Sequence, residues 1–174
     1  MIHEEQPAAI RKAIPDDAGS IYSIITYCRS AMENEGIHQW LESYPTIDTV
    51  SDDIERGALY ILQQHDQYLG IITLNEAQDE AYASVSWNDR LGKIAVIHRL
   101  AVHPQYQKHG YARQLMDFAE QLAKEQGYTS IRLDSYTGNP RALRFYESRG
   151  YEKRGEVYFP GRVLVFYCYE KLLK

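Results

Sequence analysis

The stretch that decides the fold of this 174-residue chain is Lys93–Gln126, KIAVIHRLAVHPQYQKHGYARQLMDFAEQLAKEQ. Its first part, Ile94–Val102, has apolar residues at both odd and even positions, which is typical of a central strand covered on both faces. A polar loop follows, and apolar residues then recur at helical spacing until Gly127. The stretch therefore predicts a buried strand, a loop and a long amphipathic helix, in that order.

The loop Gln107–Ala112 has the features of an anion-binding site at the start of a helix. The first four N–H groups of a helix have no partner within it, and the helix dipole adds partial positive charge there. Gly110 would let the main chain approach an anion closely, and the small Ala112 would let the helix lie against the strand. Three residues can add positive charge at the rim: Lys108, His109 and Arg113. The alternative interpretation is that Gly110 only shapes a turn between strand and helix.

Outward from this stretch, the pattern predicts a mixed α/β sheet with helices on both faces. Strands are expected at Ala8–Ile14, Leu59–Gln63, Tyr68–Leu74, Ile94–Val102, Ile131–Leu133, Tyr151–Val157 and Val163–Glu170. Helices are expected after Pro15, over Val50–Arg56, after Gly110 and over Asn139–Ser148. The segment Asn75–Gly92 shows some alternation, and we expect it to hold a further strand or part of a long hairpin.

Length and composition indicate one domain, residues 1–174, that needs no disulfide staples. The chain carries 19 Lys and Arg against 24 Asp and Glu, and this mildly acidic balance argues against a nucleic-acid partner. Cys28 and Cys168 are far apart in sequence, so we expect two buried free thiols rather than a disulfide. The opening MIHEEQPAAI does not look like a secretory signal, and no apolar run approaches the roughly 20 residues of a membrane span. We therefore expect a soluble cytoplasmic protein that does not bind membranes.

Two motifs in the chain resemble those of the GNAT superfamily of acyl-CoA N-acyltransferases. Leu100-Ala101-Val102-His103-Pro104, followed by Gln107-x-x-Gly110-x-Ala112, is similar to the acetyl-CoA-binding motif of that superfamily. Further along, Asn139-Pro140-Arg141-Ala142-x-x-Phe145-Tyr146-x-x-x-Gly150-Tyr151 resembles its second motif. Two motifs in the right order and at a fitting separation are far more specific than either alone. The clear similarity covers about Ile94 to Glu156, and Ala112 stands where the motif often has Gly.

The resemblance implies a sheet that is splayed between its fourth and fifth strands, with acetyl-CoA as co-substrate in the gap. The main chain of Leu100, Ala101 and Val102 would then pair with the pantetheine arm like an added strand. Six consecutive amides would hold the pyrophosphate: those of Gln107, Lys108, His109, Gly110, Tyr111 and Ala112. Asn139 would hydrogen-bond the pantetheine, and Tyr146 would place its hydroxyl near the thioester sulfur.

Transfer of an acyl group to an amine needs a neutral amine, a stabilised oxyanion and a proton for the leaving thiolate. We predict that Tyr146 is the acid that protonates the thiolate and that the N–H of Leu100 polarises the carbonyl. His98, just ahead of Leu100, is the predicted base, because a pKa of about 6.5 suits proton abstraction near neutral pH. The alternative for His98 is a histidine hydrogen-bonded within the sheet. The rival groups are a water chain and the side chains of Glu33, Glu35, His38 and Asp134.

Other classes of site fit the sequence poorly. The spacings of His98, His103 and His109 match no usual metal-ligand pattern, so we predict no metal site. The chain also lacks the HExxH, GxSxG and GxxxxGK[ST] patterns of common proteases, hydrolases and P-loop proteins.

The sequence therefore predicts an acetyl-CoA-dependent N-acetyltransferase that acts on a primary amine of a small molecule or protein, with a homodimer as one candidate assembly. Aromatic residues could present faces to a cationic amine, namely Tyr22, Trp40, Tyr44 and Phe159, although each could equally be a packing residue. Glu33 and Glu35 could supply charge. The alternatives are a non-catalytic module that senses acyl-CoA and a site for another phosphate ligand, such as a nucleotide. The sequence does not name the amine.

Overall fold

Seven strands form one sheet in the order β1-β2-β3-β4-β5-β7-β6 in the computed structural model, which describes residues 6–174. Residues 1–5, part of the opening segment discussed above, lie outside the described residues. The strands are β1 Ala9–Lys12, β2 Leu59–Gln64, β3 Gln67–Asn75, β4 Ile94–Val102, β5 Ser130–Tyr136, β6 Glu152–Val157 and β7 Phe166–Leu172. The helices are α1 Ala18–Asn34, α2 Ile47–Glu55, α3 Tyr111–Glu125 and α4 Pro140–Ser148. The predicted mixed α/β fold is confirmed.

The sheet is split between its fourth and fifth strands, as the resemblance implied. β4 and β5 run parallel and pair over only three positions, the last of which joins Val96 to Arg132. Beyond that point β5 pairs only with β7, as far as Tyr136, and β4 pairs only with β3. One edge of β4 and one edge of β5 are therefore left open to a shared gap.

A bulge in β4 lies just beyond the split. The register of β3 and β4 shifts so that Arg99 and Leu100 of β4 stand opposite the single residue Ile72 of β3. Arg99 adopts a positive φ of 50°, which is uncommon for a residue with a side chain. Since a bulge bends the strand that carries it, this one directs the end of β4 away from β5.

Helices cover both faces of the sheet because each helix has one apolar face. On one face, α3 buries side chains at helical spacing against strand residues such as Ile72 and Ile131. The buried apolar residues of α3 are Leu115, Met116, Ala119 and Ala123. On the other face, α1 and α2 bury Ile21, Ile24, Ile25, Cys28, Val50 and Ile54. Both Cys28 and Cys168 are free and buried, as predicted.

The expectation of a further strand within Asn75–Gly92 is wrong. The segment holds a short 3-10 turn, Glu80–Ser84, which begins where the Asp79 carboxylate accepts a hydrogen bond from the Ala81 N–H at 2.9 Å. Tyr82 and Trp87 are its buried anchors, and their separation of five residues does not fit the period of two in a strand. Long-range contacts with the sheet hold the segment instead of ladder pairing; for example, the Asn88 N–H donates to Glu170 Oε1 at 2.9 Å.

The close approach of β3 to β4 depends on Gly70. A Cβ placed there would lie 2.8 Å from the Ala101 carbonyl oxygen and 3.0 Å from Leu115 Cδ1. We expect Gly70→Ala to lower the free energy of unfolding by about 1–3 kcal/mol, because main chain and core must both move. The matched control is Gly19→Ala in α1, where a Cβ would meet no atom within 4 Å.

Urea unfolding of both variants checks this prediction. Gly19→Ala should be at least as stable as the parent chain, because alanine has the higher helix propensity. Equal stability of Gly70→Ala and the parent chain would contradict the close contact.

Candidate active site

A cleft of about 1100 Å³ occupies the gap between β4 and β5. Its walls come from the open parts of both strands, from α1, α2 and α4, from the loop before α3 and from the loop between β6 and β7. A cleft of this size can take most of a nucleotide-sized ligand.

The loop before α3 presents free hydrogen-bond donors to one end of the cleft. Gly110 is the N-cap of α3, has a φ of 81°, and leaves the helix without a side-chain cap. Among the described residues, the N–H groups from Gln107 to Arg113 have no hydrogen-bond partner. A Cβ on Gly110 would meet no protein atom within 4 Å, so the space beside it is open. This end of the cleft can therefore hold an anion with several oxygen atoms.

The side chains of the predicted phosphate loop differ in their contacts and in whether they line the cleft. Gln107 is tied to the strand, since its side-chain amide donates to the Val102 carbonyl at 3.1 Å. Lys108 and Arg113 are exposed at the cleft wall, where their charge can reach an anion. His109 is exposed outside the lining of the cleft, and its Nδ1 lies 2.9 Å from the Gln107 carbonyl oxygen.

Tyr146 of α4 is half-buried in the wall of the cleft, between the rings of Tyr151 and Tyr169. Its hydroxyl makes no hydrogen bond with any described residue, although the rest of the side chain is packed. Burial raises the pKa of Tyr146 above its usual value of 10.0, and the nearby Asp134 adds to the effect. The phenol therefore keeps its proton at neutral pH and can donate it.

The side-chain amide of Asn139, at the start of α4, makes two hydrogen bonds. Its side-chain oxygen accepts a hydrogen bond from the Ala142 N–H at 3.3 Å, which caps the helix. Its side-chain nitrogen donates to Gln39 Oε1 at 3.2 Å, across the mouth of the cleft. The structure thus brings Asn139 to the cleft, but with both ends of its amide in use.

His98 is half-buried in β4, and its Nε2 lies 2.8 Å from Asn75 Oδ1. An amide oxygen can only accept, so this contact places a proton on Nε2 and leaves the lone pair on Nδ1. Burial, with a smaller contribution from the positive charge of Arg99, lowers the pKa of His98 from 6.5 to about 4. The imidazole is neutral at pH 7 and is a weak base.

The pKa of Asp134 in β5 shifts upwards, whereas that of His98 shifts downwards. Its Oδ2 accepts a hydrogen bond from the Tyr82 hydroxyl at 2.6 Å. Burial raises the pKa of Asp134 from 3.8 to about 6, and the neighbouring Asp79 contributes to the rise. The sequence singled out His98 above Asp134, because nothing local to β5 reveals the partner Tyr82, which is 52 residues away.

His98 and Asp134 lie on the same side of the sheet. His98 pairs with Thr73, whose hydroxyl donates to Asp53 of α2 at 3.1 Å. In the last paired position of the two strands, Val96 of β4 stands beside Arg132 of β5. His98 lies two residues after Val96, and Asp134 lies two residues after Arg132. Since side chains two apart share a face, both groups border the cleft from the face that carries α2. Tyr146 belongs to the core on the α3 face.

A buried ion pair, which the sequence did not predict, lines the α2 side of the cleft. Arg99 Nη2 lies 2.6 Å from Asp53 Oδ2, and each side chain is less than a tenth exposed. A third member is Tyr44, whose hydroxyl accepts a hydrogen bond from Arg99 Nη1 at 2.7 Å. The positive φ of Arg99 is thus held by contacts that also fix α2 and the loop before it.

The predicted acceptor-side residues separate into two groups. The cleft is bordered by Glu35, Trp40, Tyr44 and Phe159, whereas Tyr22, Glu33 and His38 lie outside its lining. Glu35 faces Arg141 of α4 at 3.4 Å. Within residues 6–174, no three His, Cys, Asp or Glu side chains come together as metal ligands would, and no helix is long and apolar enough to cross a membrane.

Known proteins resemble this chain in sequence and in fold. Residues 24–151 match the family model described as "Acetyltransferase (GNAT) family". Human N-acetyltransferase 8 is 26% identical over 106 residues, which are 60% of this chain and 43% of that protein. The chain thus spans less than half the length of the curated relative that it matches.

Solved structures share the fold. A GNAT-family acetyltransferase of Streptococcus agalactiae 2603 superimposes with a TM-score of 0.83 at 22% identity, over 98% of both chains. The yncA protein of Salmonella typhimurium, solved with its cofactor acetyl-CoA, has a TM-score of 0.71 at 16% identity, over 97% of this chain and 95% of its own.

The raised pKa of Asp134 has a consequence for stability. A carboxyl group whose pKa rises from 3.8 to about 6 on folding destabilises the fold when it is ionised. This cost is absent well below pH 3.8, grows through the interval up to about pH 6, and is complete above it. Asp134→Asn should therefore raise the free energy of unfolding at pH 8, by up to about 3 kcal/mol, and should change it much less at pH 4.

Denaturant unfolding at the two pH values checks this prediction. An equal change at pH 4 and pH 8 would show that the effect comes from packing rather than from the ionised carboxylate.

Proposed function

The chain belongs to the acetyltransferase (GNAT) family, and we propose that it transfers the acetyl group of acetyl-CoA to a primary amine of a small molecule or protein. One observation carries this proposal: the free amides from Gln107 to Arg113 and the unpartnered hydroxyl of Tyr146 open onto the same cleft. The amides suit a pyrophosphate, and the phenol suits a leaving thiolate.

The proposed co-substrate site runs along the open edge of β4. The pantetheine arm of acetyl-CoA would pair with the main chain from Leu100 to Val102, which has no strand on the β5 side. Its pyrophosphate would be held by the amides from Gln107 to Ala112, with Lys108 and Arg113 adding charge at the rim. Asn139 would contact the pantetheine while it caps α4. The acetyl-CoA reported in the yncA structure supports this choice of co-substrate.

Acetyl-CoA supplies an activated acetyl group, whose bond to sulfur is exchanged for a bond to the amine nitrogen. Tyr146 donates its phenol proton to the departing sulfur, because burial keeps that phenol neutral. The N–H of Leu100 donates to the acetyl oxygen, on which negative charge develops. His98 and Asp134 flank the opening from β4 and β5, so either can receive the proton that the amine must lose.

The acceptor enters from the α2 side of the cleft in this proposal. Carboxylates outnumber free cations there: Asp48, Asp52 and Asp79 are exposed at the cleft wall beside the single exposed cation Arg56, while Arg99 is engaged by Asp53. A cationic amine suits such a wall. We propose a cytoplasmic enzyme, because acetyl-CoA is held inside cells, and we keep a homodimer as a prediction.

An assay of the purified chain with acetyl-CoA tests the proposed function. The amine panel should include cadaverine, tyramine, a lysine-containing peptide and a peptide with a free amino terminus, with released thiol as the readout. We expect thiol release with at least one amine. In the same assay, Tyr146→Phe should lower kcat about 100-fold and leave the Kd for coenzyme A within twofold.

The matched control for Tyr146→Phe is Tyr158→Phe, an exposed tyrosine outside the cleft, which should keep the parent kcat. A parent kcat in Tyr146→Phe would remove the acid from the mechanism. A silent panel combined with tight coenzyme A binding would instead favour the acyl-CoA sensor.

Gly110 provides the test of the phosphate loop. Gly110→Val would place a branched side chain in the open space beside the free amides, in a conformation that favours glycine. The Kd for coenzyme A, measured by calorimetry, should rise at least tenfold, which corresponds to about 1.4 kcal/mol.

Gly127→Val is the matched control, because Gly127 has a φ of 80°, equally open surroundings and a place at the opposite end of α3. It should lose comparable stability and keep the coenzyme A affinity. Equal affinity in the two variants would remove the loop from the site.

A further inference from the structure

We propose that Asp134 is the group that takes the proton from the attacking amine, and that Tyr82 positions it for this role. The proposal rests on the acetyltransferase activity proposed above and adds the identity of the base. It replaces His98, which the sequence favoured.

Asp134 lies just beyond the point where the sheet splits. It lies two residues beyond the last position at which β5 pairs with β4, so its side chain borders the gap rather than the closed part of the sheet. It faces the α2 side, from which the acceptor enters, whereas Tyr146 reaches the gap from the α3 side. A base and an acid on opposite sides of the reacting bond can act on the nitrogen and the sulfur separately.

Hydrogen bonding fixes the Asp134 carboxylate and leaves one of its oxygens available. Tyr82 is buried and donates to Oδ2 at 2.6 Å, which fixes the rotation of the carboxylate. Oδ1 has no hydrogen-bond partner among the described residues and remains available to an incoming ammonium group. In His98, Asn75 occupies Nε2, so only the lone pair on Nδ1 could accept a proton.

The electrostatic environment of Asp134 also suits a base. Charged or titratable groups face Asp134 from every neighbouring element: Asp79 and Tyr82 from the segment before β4, Arg99 from β4, Tyr146 from α4, Arg162 from the β6–β7 loop and Cys168 from β7. Burial dominates and raises the pKa of Asp134 to about 6, while the pKa of His98 falls to about 4. Asp134 is thus mostly ionised at neutral pH and is the stronger base of the two.

The ammonium form of the acceptor gives one proton to Asp134 Oδ1 and becomes a neutral amine. The nitrogen then forms its bond to the acetyl carbon as the carbon–sulfur bond breaks, and the sulfur takes the phenol proton of Tyr146. The nitrogen loses its second proton to solvent, Asp134 releases its proton to solvent, and one of these two protons restores the phenol. The net products are the amide, the thiol and one proton.

The test is the pH dependence of kcat/KM with the most active basic amine of the panel. In the parent chain, activity should fall below a midpoint near pH 6, because protonated Asp134 cannot act as a base. Asp134→Asn should remove this fall and lower kcat/KM at pH 7.5 at least 100-fold. Its Kd for coenzyme A should stay within twofold of the parent value, which shows that the variant is folded.

Two conservative variants should shift the midpoint in opposite directions. Tyr82→Phe removes a hydrogen bond that favours the ionised carboxylate, so the midpoint should move to higher pH. Asp79→Asn removes a like charge, so the midpoint should move to lower pH, and asparagine can still cap the Glu80–Ser84 turn. A purely structural role for Asp134 would move neither midpoint.

A weakly basic amine gives an independent readout. Methoxyamine is already neutral at pH 7.5 and needs no base before it attacks, so Asp134→Asn should lose at least tenfold less activity with it than with the basic amine. An equal loss with both amines would overturn the assignment. A midpoint near pH 4 that His98→Gln abolishes and Asp134→Asn retains would assign the base to His98 instead.

Failure of the proposed function has a different signature. In that case the parent chain itself releases no thiol with any amine, whereas a wrong base leaves the parent chain active.

Discussion

The structure depends on the parting of two parallel strands after three paired positions. β4 and β5 are joined as far as Val96 and Arg132 and then separate, which leaves main-chain groups of β4 without a strand on that side. Unpaired main-chain groups away from water are costly, so such a gap is stable only if solvent or a ligand supplies the missing partners. The proposed pantetheine arm would supply them. The bulge at Arg99 directs β4 away from β5, and the Arg99–Asp53 pair fixes the bulge to α2.

The same gap determines the protonation of the groups that border it, because burial raises the pKa of acids and lowers the pKa of bases. Withdrawal from water favours the neutral form of each group, so it raises the pKa of Tyr146 and of Asp134 and lowers that of His98. One environment thus keeps a phenol protonated and moves a carboxyl group towards neutral pH. Pairs of titratable groups with such opposed tasks are typical of acid–base catalysis. Burial of the ionised Asp134 carboxylate lowers the free energy of unfolding, and packing of the surrounding core must offset this loss.

The motifs, the turn before α3 and the order of helices and strands could be predicted from the sequence because each depends on neighbouring residues. Gly110 and the unpaired amides beside it lie within a few positions of the chain, and the periodicity of α3 is visible over one segment. Segment Asn75–Gly92 could not be predicted in this way. Its structure depends on burial of Tyr82 and Trp87 and on the distant Glu170, and its weak alternation suggested a strand that has no partner.

The sequence by itself thus indicated the family, through it the position of the split, and the turn whose unpaired amides could hold an anion, because local hydrogen-bonding and steric needs require particular residues at adjacent positions. Only the tertiary structure decided which titratable groups border the cleft together. Tyr82 reaches Asp134 across 52 residues, and Arg99 reaches Asp53 across 46. A pKa depends on the burial and charge around a group, and those are properties of the folded chain rather than of its neighbours in sequence.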